Sequence, residues 1–251
     1  MSAFWNTFLL DLPLLISAAI TTLVLAVVAG VIAMAIAIPV GFARLSRVTI
    51  IRSLSTTYVE VVRGTPLLLQ LSVWVFGVRI LLLTPFQLNI DNIVYALLTD
   101  LNSNSLFPKA GVTILFFGVI GLGVNYGAYL AEVVRAGILA VDHGQTEAAQ
   151  TLGMSRLQTA RLIVLPQALR LMTPALTNNF ATLVQDTAFL NFLGLAELTL
   201  FMNGVTAGTT NPAIRWGFYS VVLLTYFAIC YPLALLARWQ ERRAERIAAI
   251  G

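Results

Sequence analysis

Five long apolar stretches, at roughly 13–42, 56–83, 111–136, 168–203 and 215–239, alternate with short polar connections along this chain. Each is long enough to cross the hydrocarbon of a bilayer, which takes about 20 mostly apolar residues per helix. The pattern predicts an all-α integral membrane protein of five transmembrane helices forming one domain, because a single span cannot bury its polar positions without neighbours. The first stretch continues through Ala35, Ile36, Ala37 and Ile38 into Arg44 and Arg47. It is longer than the apolar region of a secretory signal and reads as a retained anchor. Two stretches break the oily pattern. The second carries Glu60 and Arg63, followed at once by Gly64, Thr65 and Pro66; the fourth carries Pro174, Asn178, Asn179, Thr182, Gln185, Asp186, Thr187 and Asn191. Charge and polarity in a membrane face a cavity or pair with each other, so these two stretches are expected to line an enclosed or watery path. Pro66 withdraws a backbone donor and Gly64 a side chain, which permits irregular backbone whose polar groups could meet a ligand.

Composition strengthens the membrane reading. With 59% hydrophobic and 10% charged residues and a mean hydropathy of +0.88, the chain has too little polar surface for a soluble globule. Its net charge of +4 could suggest nucleic acid. The arginines, however, fall mainly on one side of the predicted spans: Arg44, Arg47 and Arg52, then Arg135, Arg156, Arg161 and Arg170, then Arg238, Arg242, Arg243 and Arg246. Arg79, Lys109 and Arg215 fall on the other. Cytoplasmic loops are the arginine-rich ones, so the N-terminus is expected outside and the C-terminus inside. With no aromatic–basic binding motif, nucleic acid is not an expected partner. Trp5, Trp216 and Trp239 suit the membrane interfaces. The single Cys230 reads as an apolar filler, and the single His143 beside Asp142 as solvated, not as a metal ligand. The longest connection, 84–110, should face outside. Its apolar run 93–98 is too short to span and suits an interfacial helix, serving an external partner or neutral.

Between the third and fourth spans, on the arginine-rich side, lies the connection 142–166. Glu147-Ala148-Ala149-Gln150-Thr151-Leu152-Gly153 reads as a short helix whose adjacent alanines offer a low, smooth face, ended by Gly153 at positive φ. Ser155 and Gln158 have the spacing of a capping box that starts a second short helix. Pro166 predicts a break in that helix just before the chain re-enters the bilayer.

Glu147-Ala148-Ala149, Gly153 and Ile163-Val164-Leu165-Pro166 resemble the EAA loop of permease subunits of bacterial ABC importers. Tyr58-Val59-Glu60-Val61-Val62-Arg63-Gly64-Thr65-Pro66-Leu67-Leu68, Tyr126-Gly127-Ala128-Tyr129-Leu130-Ala131-Glu132, Gly144-Gln145 and Leu165-Pro166-Gln167-Ala168-Leu169-Arg170, in that order, are similar to the polar amino acid permease group. The resemblance implies a type I importer permease in the plasma membrane, with five spans, short cytoplasmic coupling helices and no catalytic site of its own. It also implies partners: a dimer of ABC ATPases, a second permease chain of the same or homologous sequence, and an extracytoplasmic amino acid binding protein. ATP and Mg2+ would sit on the ATPase, and this chain would bind no cofactor or metal. Gln145, Glu147, Ala148, Ala149, Gly153 and Arg156 are the implied ATPase-coupling residues.

Glu60, Arg63, Gly64, Thr65, Gln185, Asp186 and Thr187 are the expected substrate-pathway residues. Arg63 offers a planar fork of donors suited to a carboxylate, and Asp186 would attract an ammonium or guanidinium. Structural alternatives stay open, with Glu60 neutralising Arg63 and Asp186 holding a helix junction. Glu132 and Arg135, three apart, read as a local pair without a ligand role. One departure stands out. Where the resembled group reads Lys-Asp-Thr-Ser-Leu, this chain has Gln185-Asp186-Thr187-Ala188-Phe189, losing a cation and a hydroxyl. Altered specificity and a less substrate-engaged half of an asymmetric pair both fit. Two rival classes fit the sequence less well. A secondary amino acid transporter or channel not coupled to ATP would also use intramembrane charge, but the common versions carry an internal repeat that is not seen here. A membrane enzyme would need a reactive constellation, and no nucleophile–base pair, metal cluster or phosphate-binding glycine loop is present.

Overall fold

The computed structural model describes residues 2–78, 81, 109–194, 198–207 and 209–248. The expected external connection, apart from its last two residues, lies outside them, as does its apolar run. Every regular element among the described residues is helical. In chain order they are α1 (Ser2–Ala43), α2 (Thr49–Arg63), α3 (Leu67–Ser72), α4 (Lys109–Leu139), α5 (His143–Thr151), α6 (Arg156–Thr159), α7 (Leu165–Asp186), α8 (Leu198–Ala207) and α9 (Pro212–Ala248). A π turn, Val73–Val78, continues α3; a second, Ala160–Val164, joins α6 to α7; a 3-10 turn, Thr187–Leu193, follows α7.

Three segments, Phe8–Ala43, Leu115–Leu139 and Pro212–Ala244, are each long and apolar enough to cross a membrane. The second expected span is a broken one: Thr49–Arg63 and Leu67–Val78 reach that standard only together. The interruption is written in the sequence. Gly64 donates to the Glu60 carbonyl at 2.8 Å as α2 ends, and Pro66, at φ −64° and ψ 132°, starts α3 in extended geometry. The fourth expected span is also composite. α7 has 22 residues, rising about 33 Å, long enough for the hydrocarbon layer, but it is too polar to join the apolar segments. Among the described residues three, or four with the broken pair, thus meet that standard where five were expected. α7 then tightens into the 3-10 turn, which stops at Gly194 with φ 88°.

The described chain divides into two units, Met1–Ile32, Thr65–Val124 and Thr182–Cys230 forming one, Ala33–Gly64, Asn125–Ala181 and Tyr231–Gly251 the other. In the first, Leu15, Leu198 and Val222 make a buried cluster with Phe8, Leu12 and Tyr226. The Thr22 hydroxyl there accepts from the Leu198 backbone N–H at 3.3 Å. In the second, Val134, Ala168 and Met172 form the core. Small residues set how closely the helices approach, as expected where lipid supplies no hydrophobic force between them. On α1, Ala26, Ala29, Ala33 and Ala37 are fully buried. In the second unit, a Cβ on Gly127 of α4 would come within 2.8 Å of Ile36 Cγ2 on α1. Other positions of α1, including Leu10, Leu14, Ile20, Val24 and Val31, are exposed and give it an apolar outer side.

Candidate functional site: a self-capped surface helix and a charged cleft

The segment from Asp142 to Leu165 is built almost wholly by its own local hydrogen bonds. Asp142 caps α5, its Oδ1 accepting from the Gly144 N–H at 2.6 Å. At the other end Gly153 takes φ 80°. Its N–H donates to the Gln150 carbonyl at 3.0 Å while Met154 N–H donates to the Ala149 carbonyl at 3.1 Å. That pair of bonds is the Schellman closure, and it uses carbonyls the helix end would leave orphaned. Ser155 then starts α6 with a complete capping box: Ser155 Oγ accepts from Gln158 N–H at 3.3 Å, and Ser155 N–H donates to Gln158 Oε1 at 2.8 Å. α5 packs back on α6 and the π turn that follows.

This geometry sorts the expected coupling residues. Gln145, Glu147, Ala148, Gly153 and Arg156 are exposed. Ala149 is 4% exposed and turns inward, so of the alanine pair Ala148 alone is presented. Glu147 Oε1 lies 3.1 Å from His143 Nδ1 on the outer surface. The break expected before Pro166 does not occur. The helix stays continuous because it widens: Leu165 N–H donates to the Ala160 carbonyl, five residues back. The π turn makes room where the Pro166 ring would press on the preceding turn, and Pro166 sits in the first turn of α7, where its missing donor is not needed.

A cleft of about 400 Å³ opens in the same unit, bordered by Arg63, Tyr129, Glu132 and Asn179 among smaller apolar residues of α4 and α7. Arg63 is exposed, and its guanidinium lies over the Tyr129 ring, 5.3 Å from the centroid. No ion pair joins it to Glu60 among the described residues, so the alternative of mutual neutralisation is not realised. Glu132 is claimed from two sides. Arg135 donates to it from the next turn, at 2.5 Å to Oε1 and 3.2 Å to Oε2, and Arg44, from the connection after α1, pairs with the same Oε2. The local Glu132–Arg135 pair read from sequence is thus one half of a bridge between the end of α1 and α4.

At the end of α7, in the other unit, Gln185 is exposed and Asp186 half-buried. Thr187 is fully buried, its hydroxyl donating to the Val184 carbonyl at 2.8 Å, which places it as a closure of the helix end. Thr65 is held by Gln70, whose Nε2 donates to its carbonyl at 3.0 Å and its hydroxyl at 2.7 Å.

Residues 33–246 match the family described as the inner membrane component of binding-protein-dependent transport systems. This chain belongs to that family. It is 32% identical to the L-cystine transport system permease protein TcyB of Bacillus subtilis (strain 168), across 94% of this chain and 89% of that protein. It is likewise 32% identical to the glutamine transport system permease protein GlnP of Escherichia coli (strain K12), across 95% and 96%. Among solved structures, an amino acid ABC transporter crystallised with histidines superposes with a TM-score of 0.76 at 31% identity, covering 95% of this chain and 97% of that one. The chain is therefore a multi-pass inner membrane permease subunit of the ABC importer type.

For this permease, sequence reading anticipated the short helices after Asp142 and the caps at Gly153, Ser155 and Gln158, but missed the residues that hold the cleft. Arg44 entered only as one charge among many, and Tyr129 only as part of a motif. The available signal was weak: a tyrosine and a glutamate three apart on α4 share a face, which places Tyr129 beside Glu132 but does not say which arginines meet them.

Proposed function

We propose that this permease is the membrane-spanning subunit of an ATP-driven importer of polar amino acids, engaged by a separate ATPase at segment 142–166. The observation that carries the reading is that segment itself. It is exposed, capped at both turns by its own side chains and backbone, and offers Glu147 and Ala148 outward, as a surface read by another protein requires. The relatives' substrates, L-cystine and glutamine, support a zwitterionic solute. Arg63 on its open cleft is suited to a carboxylate, and Asp186, at the end of α7, to an ammonium; each is a candidate substrate contact in its own unit. The arginine bias puts segment 142–166 and the C-terminus in the cytoplasm, where ATP is. ATP and Mg2+ belong to the ATPase, a second permease chain completes the wall of the path, and an external binding protein delivers the solute. ATP acts because it favours one state of a two-state assembly.

The test is reconstitution in proteoliposomes with the ABC ATPase that co-purifies with this chain and its extracytoplasmic binding protein. Uptake of a polar amino acid that requires both partners and internal ATP is expected. Uptake driven by an ion gradient without the ATPase would overturn the reading in favour of a secondary transporter.

A further inference from the structure

The second unit carries another concave surface, which shares no lining residue with the Arg63 cleft. It is a cleft of about 440 Å³ between the first turns of α7 and the last of α9, lined by Arg170, Thr173, Trp239, Gln240, Arg243 and Ala244. Its charge is one-sided: two guanidiniums and no carboxylate among the lining residues. Trp239 is 55% exposed, and the Arg243 guanidinium rests over its ring, 5.3 Å from the centroid. That contact fixes an arginine head that would otherwise sweep through solvent. The Gln240 side-chain carbonyl lies 2.8 Å from the Thr177 hydroxyl, which shares its one proton with the Thr173 carbonyl at 3.0 Å, and the Gln240 amide N–H groups are left as donors. Thr173 spends its own proton on the Leu169 carbonyl, at 2.5 Å. The cleft is therefore rich in donors and has no anion of its own.

Its surroundings decide the ligand. Leu235 and Leu236, one turn before Trp239 on α9, are exposed, as are Leu169 and Leu171 flanking Arg170 on α7. A pair of arginines beside an interfacial tryptophan and next to exposed leucines is chemically matched to a molecule with an anionic head and apolar chains. We propose that this cleft binds the phosphodiester of an anionic phospholipid. Arg170 and Arg243 hold the charge, Gln240 donates to a phosphate oxygen, and the acyl chains lie on the leucines. A free phosphate would satisfy the arginines and leave the leucines unused. Because Arg170 lies in the second turn of α7, shortly after the π turn and Pro166, the lipid would fasten α7 near the point where the coupling segment joins it. The proposal is independent of which solute is carried.

The experiment is native mass spectrometry of the full chain in mild detergent, titrated with phosphatidylglycerol, with phosphatidylcholine of the same acyl chains, or with sodium phosphate. The wild type is expected to retain phosphatidylglycerol over phosphatidylcholine and to show no phosphate adduct. Retention should fall about tenfold or more in Arg170→Gln/Arg243→Gln and stay unchanged in Arg238→Gln/Arg242→Gln, which removes as much charge from α9 outside the cleft. Equal retention in the cleft variant, equal loss in the control, or equal retention of the two lipids would overturn the proposal. Phosphate adducts replacing the lipid would reassign the cleft to a soluble anion.

Discussion

Glu132 shows how a single carboxylate can hold more than its own helix. Its partner Arg44 is only 12% exposed, and the Arg44 Nε is buried without a hydrogen-bond partner among the described residues, so this guanidinium depends heavily on Glu132. Glu132→Gln preserves shape and removes the charge, leaving two arginines short of an anion. A loss of about 2 kcal/mol is expected, read as a lower thermal midpoint of the purified chain. Glu147→Gln should leave the midpoint unchanged, because its contact with His143 is on the surface, with side chains 84% and 71% exposed. Asp186 poses a different question at the same scale. If it meets the solute, Asp186→Asn lowers ATP-driven uptake about tenfold with the midpoint preserved. If it holds the junction between α7 and the 3-10 turn, the midpoint falls instead. These residues also mark what sequence could reveal. The pairing of Glu132 with Arg135 was visible because three residues on a helix are one turn apart. Its pairing with Arg44, 88 residues away, and the stacking of Arg63 on Tyr129 were not, since helix periodicity says which face a residue occupies and nothing about which distant face it meets.

Among the elements, α5 and α6 are the most legible because their instructions are local. Gly153, Ser155 and Gln158 specify the turn between them through bonds spanning no more than five residues. Each can be tested by itself. At Gly153 no atom would meet an added Cβ, yet φ is +80°, so Gly153→Ala should cost about 1 kcal/mol from backbone strain alone. Ser155→Ala removes a cap worth about 1 kcal/mol. Both losses are local, so amide exchange in 143–159 should quicken while the thermal midpoint of the chain moves little, and ATP-driven uptake should fall. Unchanged exchange in both variants would show that packing on α7, and not capping, orders the segment. The misread element is instructive in the same terms. Pro166 was expected to break a helix because proline is costly in an α-helix interior. The π turn relieves that cost by widening the backbone, a remedy no local propensity announces.

For the whole molecule, the sequence made the membrane class legible through hydrophobicity, but the packing rests on glycines and alanines, which carry almost no hydropathy signal. In the second unit, Gly127 lies where any side chain would meet Ile36 and, at 3.1 Å, the Tyr58 hydroxyl. Gly127→Leu should force α1 and α4 apart, costing about 1–3 kcal/mol and lowering the yield of monodisperse protein. Gly204 on α8 has no atom within 4 Å of an added Cβ, so Gly204→Ala should be tolerated or slightly stabilising. The two variants separate close packing from mere helix propensity. The π turn at 160–164 has a consequence of another kind. Each residue of an α-helix advances the chain about 100° around its axis, and the widened turn holds one residue that an ordinary turn would not. Deleting one residue there would let the helix wind normally with α5 and α6 near their present azimuth, whereas deleting one from an ordinary turn of α7 would swing them around its axis by roughly that angle. The π turn is thus slack in the thread: a single-codon deletion is absorbed there, while the same deletion farther along α7 would turn α5 and α6 to face another way.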